Sequence, residues 1–315
     1  MALTIQPTTN IPLKIVSTFR RDDTYHSIYF GRQVAYRQIA YRYLLGLEDE
    51  NRIESSIYQH FLGDTSADLS IDISTMVGCP MKCKFCESAS ISYVRSLTVD
   101  EITSQVVQLV NQHDAPRFNE IMCACQGIGE PSLIAERVLE SSAYLLSLDP
   151  RIRISIATLG TRLSAFRVWR ESGIPIANLQ ISSSGTTAEQ INWLTPRLPT
   201  LDELIYEAKL CVQCSNFMQV KFNHVLIRGF NDSPEDVQRL ISFFRGTSII
   251  VKIAALNPTF ASKRNRLTPG TFERAQEICR ELRANGVNSF VGGSFNNTNV
   301  SCGQLAFVGN RGHSQ

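Results

Sequence analysis

The sequence predicts an α/β fold, a partial (β/α)6 barrel with a small N-terminal appendage. From residue 69 onward, six short runs rich in β-branched residues alternate with amphipathic segments. Parallel neighbouring strands need crossover connections, and the amphipathic segments are long enough to supply them as helices. Strand-then-helix units repeated in this way close into an open or partial barrel with the helices outside.

The predicted units follow one another along the chain. Strands are expected at 69–75, 119–126, 152–157, 177–183, 219–227 and 249–256, with a last short strand near 288–292. Helices are expected at 98–113, 133–147, 161–172, 200–214, 234–245 and 270–286. Capping boxes and first-turn prolines mark four of the helix starts. These signals are Thr98 with Glu101, Thr200 with Glu203, Ser233 with Pro234, and Thr268 with Pro269.

Residues 1–68 have a different pattern, and we expect them to form the appendage, with the barrel at 69–315. Strands are predicted at 15–19 and 27–30, followed by a helix from about Arg32 to Leu45 that Gly46 ends. The first fifty residues carry six basic and five acidic side chains. This charge balance gives the appendage no strong preference for polyanions.

Composition sets limits on the class of protein. The 315 residues include 31 basic and 29 acidic side chains, a formal net charge of +2, without the basic excess of a dedicated nucleic-acid binder. No apolar run is long enough to span a membrane, and the N-terminus lacks the pattern of a signal peptide. We therefore expect a cytoplasmic protein with reduced thiols and no membrane partner.

Three of the nine cysteines stand in one short segment with the spacing Cys79-x3-Cys83-x2-Cys86, directly after the first barrel strand. Three thiolates on one loop ligate three irons of a four-iron, four-sulfur cubane and leave the fourth iron open. S-adenosylmethionine (SAM) chelates such an iron, and one electron then cleaves it to a 5′-deoxyadenosyl radical. Structural zinc or buried thiols are the alternatives, but no second cysteine pair lies close by in the sequence.

Several segments between Ser74 and Ala306 are similar to the RlmN/Cfr family of radical SAM methyltransferases, which modify an adenosine of ribosomal RNA. The matching segments are VGCPMKCKFC, YVRSLTVDEITSQV, GIGEP, LQISSS, VLIRGFNDSPED, ALNP and SCGQLA. The resemblance implies a radical SAM barrel, a [4Fe-4S] cluster and SAM as cofactors, and a reductant such as flavodoxin or ferredoxin.

The resemblance also implies roles for single residues. Within the segment from Gly127 to Pro131, which includes Gly129, the carboxylate of Glu130 receives the amino group of SAM. Ser182 touches the ribose of SAM, and Asn257 lies against its nucleoside. All of these residues follow or end predicted strands, at the face where barrel active sites form.

Cys302 is the residue on which the predicted chemistry depends. In the family that it resembles, this cysteine is methylated by one SAM, and the radical from a second SAM removes a hydrogen atom from the new methyl group. The resulting carbon radical adds to an sp2 carbon of the substrate. Such a relay requires a reactive thiolate near the open iron.

The sequence departs from the family pattern at the position of the second cysteine, which resolves the crosslink between protein and substrate. Asp72 stands there; its carboxylate can accept a proton but cannot form a disulfide. Cys123 and Cys125 are either substitutes for this thiol or buried strand residues. The family's charged loop before the reactive cysteine reads Ser294-Phe-Asn-Asn-Thr-Asn299 here.

These departures lead us to expect C-methylation of a natural-product, nucleoside or peptide intermediate, with RNA the less favoured substrate. Methylation of a ribosomal RNA adenosine is the first alternative. Hydrogen abstraction without methylation is the second. A non-enzymatic iron–sulfur or zinc module is a rival from another class, and cleavage of SAM on reduction distinguishes the enzyme from it.

Overall fold

The computed structural model describes residues 11–29, 32–62, 65–113 and 118–292. The strands are β1 (Lys14–Tyr29), β2 (Arg32–Gly46), β3 (Arg52–Leu62), β4 (Thr65–Asp72), β5 (Met76–Val77), β6 (Arg95–Ser96), β7 (Glu120–Cys125), β8 (Ile152–Thr158), β9 (Asn178–Ser182), β10 (Val220–Leu226), β11 (Ile250–Ala255) and β12 (Ser289–Gly292). The α-helices are α1 (Val99–Gln112), α2 (Ala135–Leu148), α3 (Ser164–Glu171), α4 (Ala188–Leu194), α5 (Leu201–Val212), α6 (Pro234–Phe244), α7 (Phe260–Arg264) and α8 (Phe272–Ala284).

Ten of the strands form one sheet in the order β1-β2-β3-β4-β7-β8-β9-β10-β11-β12, and β5 pairs with β6 separately. Within the ten-stranded sheet, β4 and the six strands that follow it in this order are parallel. The strands β1 to β4 pair antiparallel with one another. The predicted α/β barrel with six strand-and-helix units is confirmed. The first three strands extend the same sheet, and the predicted boundary between residues 68 and 69 falls within β4; the division into two domains stays a prediction.

The sheet curls, so that its first and sixth parallel strands face each other. In a flat sheet, five steps of about 4.8 Å would separate β4 from β11 by roughly 24 Å. Asp72 at the end of β4 nevertheless interacts electrostatically with Lys252 on β11. We call this concave side, on which Asp72 and Lys252 lie, the luminal face.

The opposite face of the parallel strands packs against the helices. On these strands most side chains of this face are apolar and buried, because successive residues point to opposite faces. In β10 these residues are Val220, Phe222 and Leu226, which join the core together with Phe244 of α6. Two of the luminal positions between them are polar, namely Lys221 and Asn223. No helix in the described ranges is both long and apolar enough to cross a membrane.

Three of the four helix-start signals are confirmed. Capping boxes at Thr98, Thr200 and Ser233 are formed, the last with Asp236 at the third helical position. The fourth prediction is wrong, because Thr271 caps α8. Pro269 instead forms an isolated antiparallel bridge with Ile227.

The helix predicted from about Arg32 to Leu45 is also wrong, since this segment is strand β2. Its sequence alternates with period two, and Tyr41 and Tyr43 share one face, while Arg42 and Leu44 share the other. Aromatic residues in such alternation favour a half-buried strand. Pairing with long strands on both sides supplies the hydrogen bonds that a helix would have made internally.

Candidate active site

The loop at residues 78–86, which we call the cysteine loop, follows β5 at the carboxyl edge of the parallel sheet. In this loop the side chains of Cys79 and Cys83 are buried, and the side chain of Cys86 is half-buried. Met81 packs in one apolar cluster with Cys79 and Cys83, and Phe85 and Cys86 pack against it. The three predicted cluster ligands therefore lie together in one apolar surrounding.

Burial raises the pKa of all three thiols, to about 12 for Cys79. Mutual repulsion among the thiolates adds to the increase for Cys79 and Cys83. Backbone N–H groups of Met81 and Gly129 are directed at the sulfur of Cys79 and partly oppose it. Three thiolates grouped in this way need a bound cation to offset their charge, which is the chemistry of a metal-ligand set.

Among the described residues, no three His, Cys, Asp or Glu side chains converge closely enough for a single metal ion. Cubane ligation does not require such convergence, because each thiolate binds a different iron. One loop with three buried, mutually repelling thiols thus fits a [4Fe-4S] cluster better than a structural zinc ion, which requires four ligands around one point.

The segment after β7 brings Glu130 to the cysteine loop through two glycines that lie against the chain leaving β4. A Cβ on Gly127 would lie 2.6 Å from the backbone nitrogen of Ser74. Gly129 adopts a φ of +128°, and a Cβ there would collide with the hydroxyl of Thr75. Only glycine allows this close approach, so both predicted site glycines have a defined structural role.

Glu130 is 2% exposed, and its carboxylate accepts hydrogen bonds from three groups of the chain. Ser132 donates its N–H over 3.1 Å, Leu159 donates its N–H over 2.9 Å, and the hydroxyl of Thr158 donates to the same oxygen as Ser132. Burial nevertheless raises the pKa of Glu130. A carboxylate has about four acceptor positions, so one remains for a cationic ligand group.

Ser182 is the last residue of β9, half-buried on the luminal face, and its register partner on β10 is Asn223. The side-chain oxygen of Asn223 is buried and has no hydrogen-bond partner within the described chain. A buried acceptor without a donor is costly. The pair therefore fits a ligand that supplies a hydroxyl or N–H group at this level of the lumen.

Asn257 follows β11 with an exposed side chain, and its backbone carbonyl accepts the N–H of Thr259 over 2.9 Å. Thr259 in turn donates its hydroxyl to the carbonyl of Phe85 in the cysteine loop. Glu87, fully buried just after the loop, accepts the N–H of Ala261 in α7 over 3.1 Å. The residue that the resemblance assigns to the nucleoside thus lies in a segment bonded to the cysteine loop.

Asp72 belongs to a luminal charge cluster that also contains Arg42, Glu54 and Lys252. Burial raises the pKa of Asp72 to about 6. A hydrogen bond from the hydroxyl of Tyr58 and the positive charges of Arg42 and Lys252 oppose this increase. Arg42 and Glu54 form an ion pair over 3.3 Å, and both side chains are 2% exposed. Lys252 donates to the side chain of Gln180 over 3.2 Å. Burial therefore favours the protonated form of this luminal carboxyl group more than it would be favoured in water.

The run from Arg95 to Thr98, which resembles the family, has a structural explanation. The guanidinium of Arg95 binds both carboxylate oxygens of Glu101 at 2.8 Å and also contacts Asp49 at 2.7 Å. Thr98 and Glu101 complete the capping box of α1. These contacts fix the chain that leaves the cysteine loop.

Cys123 and Cys125 do not face the lumen. Both are buried in the core between β7 and the helices, where burial raises the pKa of Cys125 to about 12. Of the two alternatives above, the structure shows buried strand residues, on the face of the sheet opposite to Asp72. The predicted residues Cys302 and Ser294–Asn299 lie outside the described part of the chain.

Sequence reasoning missed Asn223, Glu87, Arg42 and Lys252. The signal for Asn223 and Lys252 was the polar alternation within otherwise apolar strands, with Lys221 and Asn223 two residues apart. Arg42 was assigned to a helix and so could not be placed on any face of the sheet.

A family model, the Radical SAM superfamily, matches residues 73–244. The match covers more than half of the chain and contains the cysteine loop, Glu130 and Ser182. The fold and the grouped thiols agree with this class of enzyme. A SAM-bound structure of SuiB from Streptococcus suis shares the fold at a TM-score of 0.51, with 16% identity over 71% of this chain and 51% of that one.

Relatives in sequence narrow the class. A protein named probable dual-specificity RNA methyltransferase RlmN from Thermosipho melanesiensis is 32% identical over 272 residues, which cover 84% of this chain and 75% of the relative. A radical SAM methyltransferase from Sphaerobacter thermophilus has the same fold, with a TM-score of 0.75 and 24% identity over 93% of this chain and 81% of that one. The chain belongs to the radical SAM superfamily and, within it, to the RlmN-type methyltransferases.

Membership defines the chemistry in outline. The protein is an enzyme with a [4Fe-4S] cluster and SAM as cofactors, and it methylates its substrate by radical chemistry. It requires a one-electron reductant.

Proposed function

We propose that this enzyme transfers a methyl-derived carbon through Cys302 to an sp2 carbon of its substrate, with Cys79, Cys83 and Cys86 holding the cluster. The observation that carries the proposal is the grouping of three cysteine side chains, two buried and one half-buried, on one loop beside Glu130, where their thiolates repel one another. When bound, the cluster supplies the electron that cleaves SAM to a radical.

The roles of the remaining residues follow the contacts around the loop. Gly127 and Gly129 allow Glu130 to approach Cys79, and the free acceptor position of Glu130 suits the amino group of SAM. Ser182 binds the ribose beside the unpartnered oxygen of Asn223. Asn257 binds the nucleoside from the segment that is bonded to the cysteine loop.

The thiolate of Cys302 would attack the methyl carbon of one SAM, take up the methyl group and displace S-adenosylhomocysteine. Cys302 then loses a hydrogen atom of that methyl group to the radical derived from a second SAM, and the carbon radical adds to the substrate. The match of Ser301–Ala306 to the family segment supports this role, as does the need for a carbon donor separate from the SAM that is cleaved.

Asp72 accepts a proton from the substrate carbon to which the new bond has formed. The substrate must also give up one electron, which the cluster held by Cys79, Cys83 and Cys86 would take back. Its position on the luminal face and its pKa of about 6 suit a general base at neutral pH. No disulfide step is available through it, and Cys123 and Cys125 face away from the lumen. These positions therefore offer no thiol for breaking the bond between Cys302 and the transferred carbon.

We propose a small natural-product, nucleoside or peptide intermediate as the substrate, on the basis of Asp72 and the charge-balanced N-terminal strands. An adenosine in RNA is the second candidate, because several relatives of the chain are named RNA methyltransferases. Eight described cysteines are free thiols, which suits a reducing, cytoplasmic compartment.

The test of the function is anaerobic turnover of the reconstituted protein with SAM and reductant. Formation of 5′-deoxyadenosine together with a methylated Cys302 peptide supports the proposal. An unmodified Cys302 after turnover, combined with an active Cys302→Ala enzyme, would rule out the relay. Methylation of an adenosine in a ribosomal RNA hairpin over several turnovers would make RNA the substrate.

A further inference from the structure

A surface of basic side chains surrounds the cysteine loop, and we call it the basic rim. Its members are Lys82, Lys84, Arg197, Arg228, Lys263, Arg264 and Arg266. Six of them are exposed, and Lys84 is half-buried. They come from four separate segments of the chain, so the sequence alone gives no sign that they belong together.

Backbone contacts show that the four segments adjoin one another. The N–H of Lys84 donates to the carbonyl of Leu194 over 2.9 Å, and the side chain of Asn265 donates to the carbonyl of Lys84 over 2.8 Å. The N–H of Arg228 donates to the carbonyl of Thr268 over 2.9 Å. The rim is therefore one continuous surface centred on the loop that carries the cysteines.

The charge of the rim is not balanced locally. No Asp or Glu occurs in the segments 82–86, 191–198, 227–231 and 259–268. None of the seven basic side chains forms an ion pair with another described residue. The carboxylate of Asp232, which adjoins the rim, accepts the N–H of Gly229. Residues 293–315 contain no Asp or Glu. With the whole chain at +2, the seven charges leave the rest of the chain at −5.

Exposed aromatic rings accompany the basic groups. Trp193 is 40% exposed and Phe260 is 61% exposed. The ammonium of Lys84 lies 3.8 Å from the ring centre of Trp193, which itself packs 5.2 Å from the ring of Phe230. Arginine and aromatic side chains are enriched in protein-binding surfaces. Complexes between electron-transfer proteins have small interfaces.

We propose that the basic rim is the docking surface for an acidic one-electron donor protein. The donor gives up one electron from its own redox centre, and the site held by the three cysteines accepts it. No covalent bond forms or breaks in this step. Docking at the rim places the donor against the loop through which the electron must enter. Complementary charge speeds such an encounter, because it steers the partners before contact.

The position of the rim favours a donor over RNA. Lys82 and Lys84 lie between the cluster cysteines themselves, so a partner bound there covers the outer side of the cysteine loop. In the proposed function the substrate instead occupies the luminal side, where Ser182 and Asp72 lie. RNA phosphates would also be attracted by seven cations, and RNA binding is therefore measured in the same experiment.

The inference rests on the proposed cluster site, and two reductants separate the two questions. Dithionite reduces the cluster without a protein partner, whereas flavodoxin, kept reduced by its NADPH-dependent reductase, must dock. The test variant is Arg228→Glu with Lys263→Glu and Arg264→Glu. The matched control is Arg167→Glu with Lys209→Glu and Arg280→Glu, which reverses three exposed charges on α3, α5 and α8.

At low ionic strength, flavodoxin-driven formation of 5′-deoxyadenosine should fall about tenfold or more in the rim variant and little in the control. Dithionite-driven formation should be unchanged in both. Raising the salt concentration should slow the flavodoxin reaction of the wild-type protein and remove the difference between variants, which tests the idea without any substitution.

Equal rates with flavodoxin in the rim variant and the wild type would overturn the proposal, and so would equal losses in rim variant and control. Loss of affinity for a ribosomal RNA hairpin, with the flavodoxin rate intact, would assign the rim to RNA instead. Absence of dithionite-driven SAM cleavage in the wild type would count against the cluster site itself rather than against the docking surface.

Discussion

The cysteine loop and the luminal charge cluster are both buried groups of titratable side chains, and they differ in how their charge is balanced. In the loop, the thiols of Cys79 and Cys83 repel each other as thiolates within apolar surroundings. In the luminal cluster, Arg42 pairs with Glu54, and Asp72 is offset by Arg42 and Lys252.

This difference indicates what each group is for. Ligands that repel one another when charged are stabilised by the metal that they bind. Removal of one ligand should therefore reduce activity more than it reduces the stability of the fold. A set that contains its own counterions belongs to the folded chain, and removal of one member leaves another charge buried and unpaired. Substitutions in the two groups should therefore produce opposite combinations of lost activity and lost stability.

The largest effect is expected for Cys83→Ala. Loss of a cluster ligand should abolish iron binding and SAM cleavage, a greater loss than the roughly 10- to 100-fold of a changed outer-shell contact. The thermal midpoint of the apoprotein should change little. Iron analysis, 5′-deoxyadenosine formation and a melting curve measure these quantities, with Cys214→Ser as a matched control. Full SAM cleavage by the Cys83→Ala variant would contradict the view that the cysteine loop, unlike the luminal charge cluster, serves to bind a metal.

Cys302→Ala should separate the cluster from carbon transfer. The variant should cleave SAM under reducing conditions but transfer no methyl group, because the thioether that carries the carbon cannot form. Labelled methyl groups from SAM, traced into protein and product by mass spectrometry, provide the measurement. Wild-type methyl transfer by the variant would contradict the relay.

Arg42→Leu should act in the opposite sense to Cys83→Ala. The carboxylate of Glu54 would remain buried without its partner, and breaking a buried pair on one side costs about 3–5 kcal/mol of unfolding free energy. The double variant Arg42→Leu with Glu54→Leu should recover much of this loss. Urea denaturation of the apoprotein at pH 7 gives the comparison. A single variant as stable as the wild type would show that the pair carries no such cost.

Asp72→Asn should change stability by no more than Arg42→Leu does, and in a way that depends on pH. The folded-state pKa of about 6 lies above the ordinary value near 4, so the folded chain binds more protons between these pH values. The contribution of Asp72 to stability is therefore fully present below pH 4 and is lost as pH rises through about 6. The wild type should lose about 3 kcal/mol relative to the variant across this window.

Methyl transfer gives a second readout for Asp72. If the carboxylate accepts a proton, the wild-type rate should rise with pH through about 6, and the Asp72→Asn variant should be slow at every pH, while SAM cleavage persists. Parallel stability curves and parallel rate profiles for the two proteins would show that Asp72 does not titrate in this range.

The sequence was sufficient where a function depends on neighbours along the chain. The spacing of Cys79, Cys83 and Cys86 is local, and so is the approach of Glu130 after Gly129. The capping box of Thr98 and Glu101 was equally local. These features need no knowledge of the sheet, and the structure brings each of them together.

What the sequence did not reveal depends on register and on distant pairing. Arg42 faces Glu54 only because β2 is a strand that lies next to β3. The period-two alternation of this segment was present in the sequence, but a helix of the same length satisfied its backbone as well. The basic rim joins segments as distant as Lys84 and Arg264, which no linear pattern connects.

The bonds between α7 and the cysteine loop have a consequence for the order of folding. Thr259 binds the carbonyl of Phe85, and Asn265 binds that of Lys84, across 174 and 181 residues of chain. Contacts that close such long loops form late, because the closure entropy must first be offset by other structure. A chain emerging from the ribosome therefore displays all three cluster cysteines long before the segment that holds their loop in place has been made.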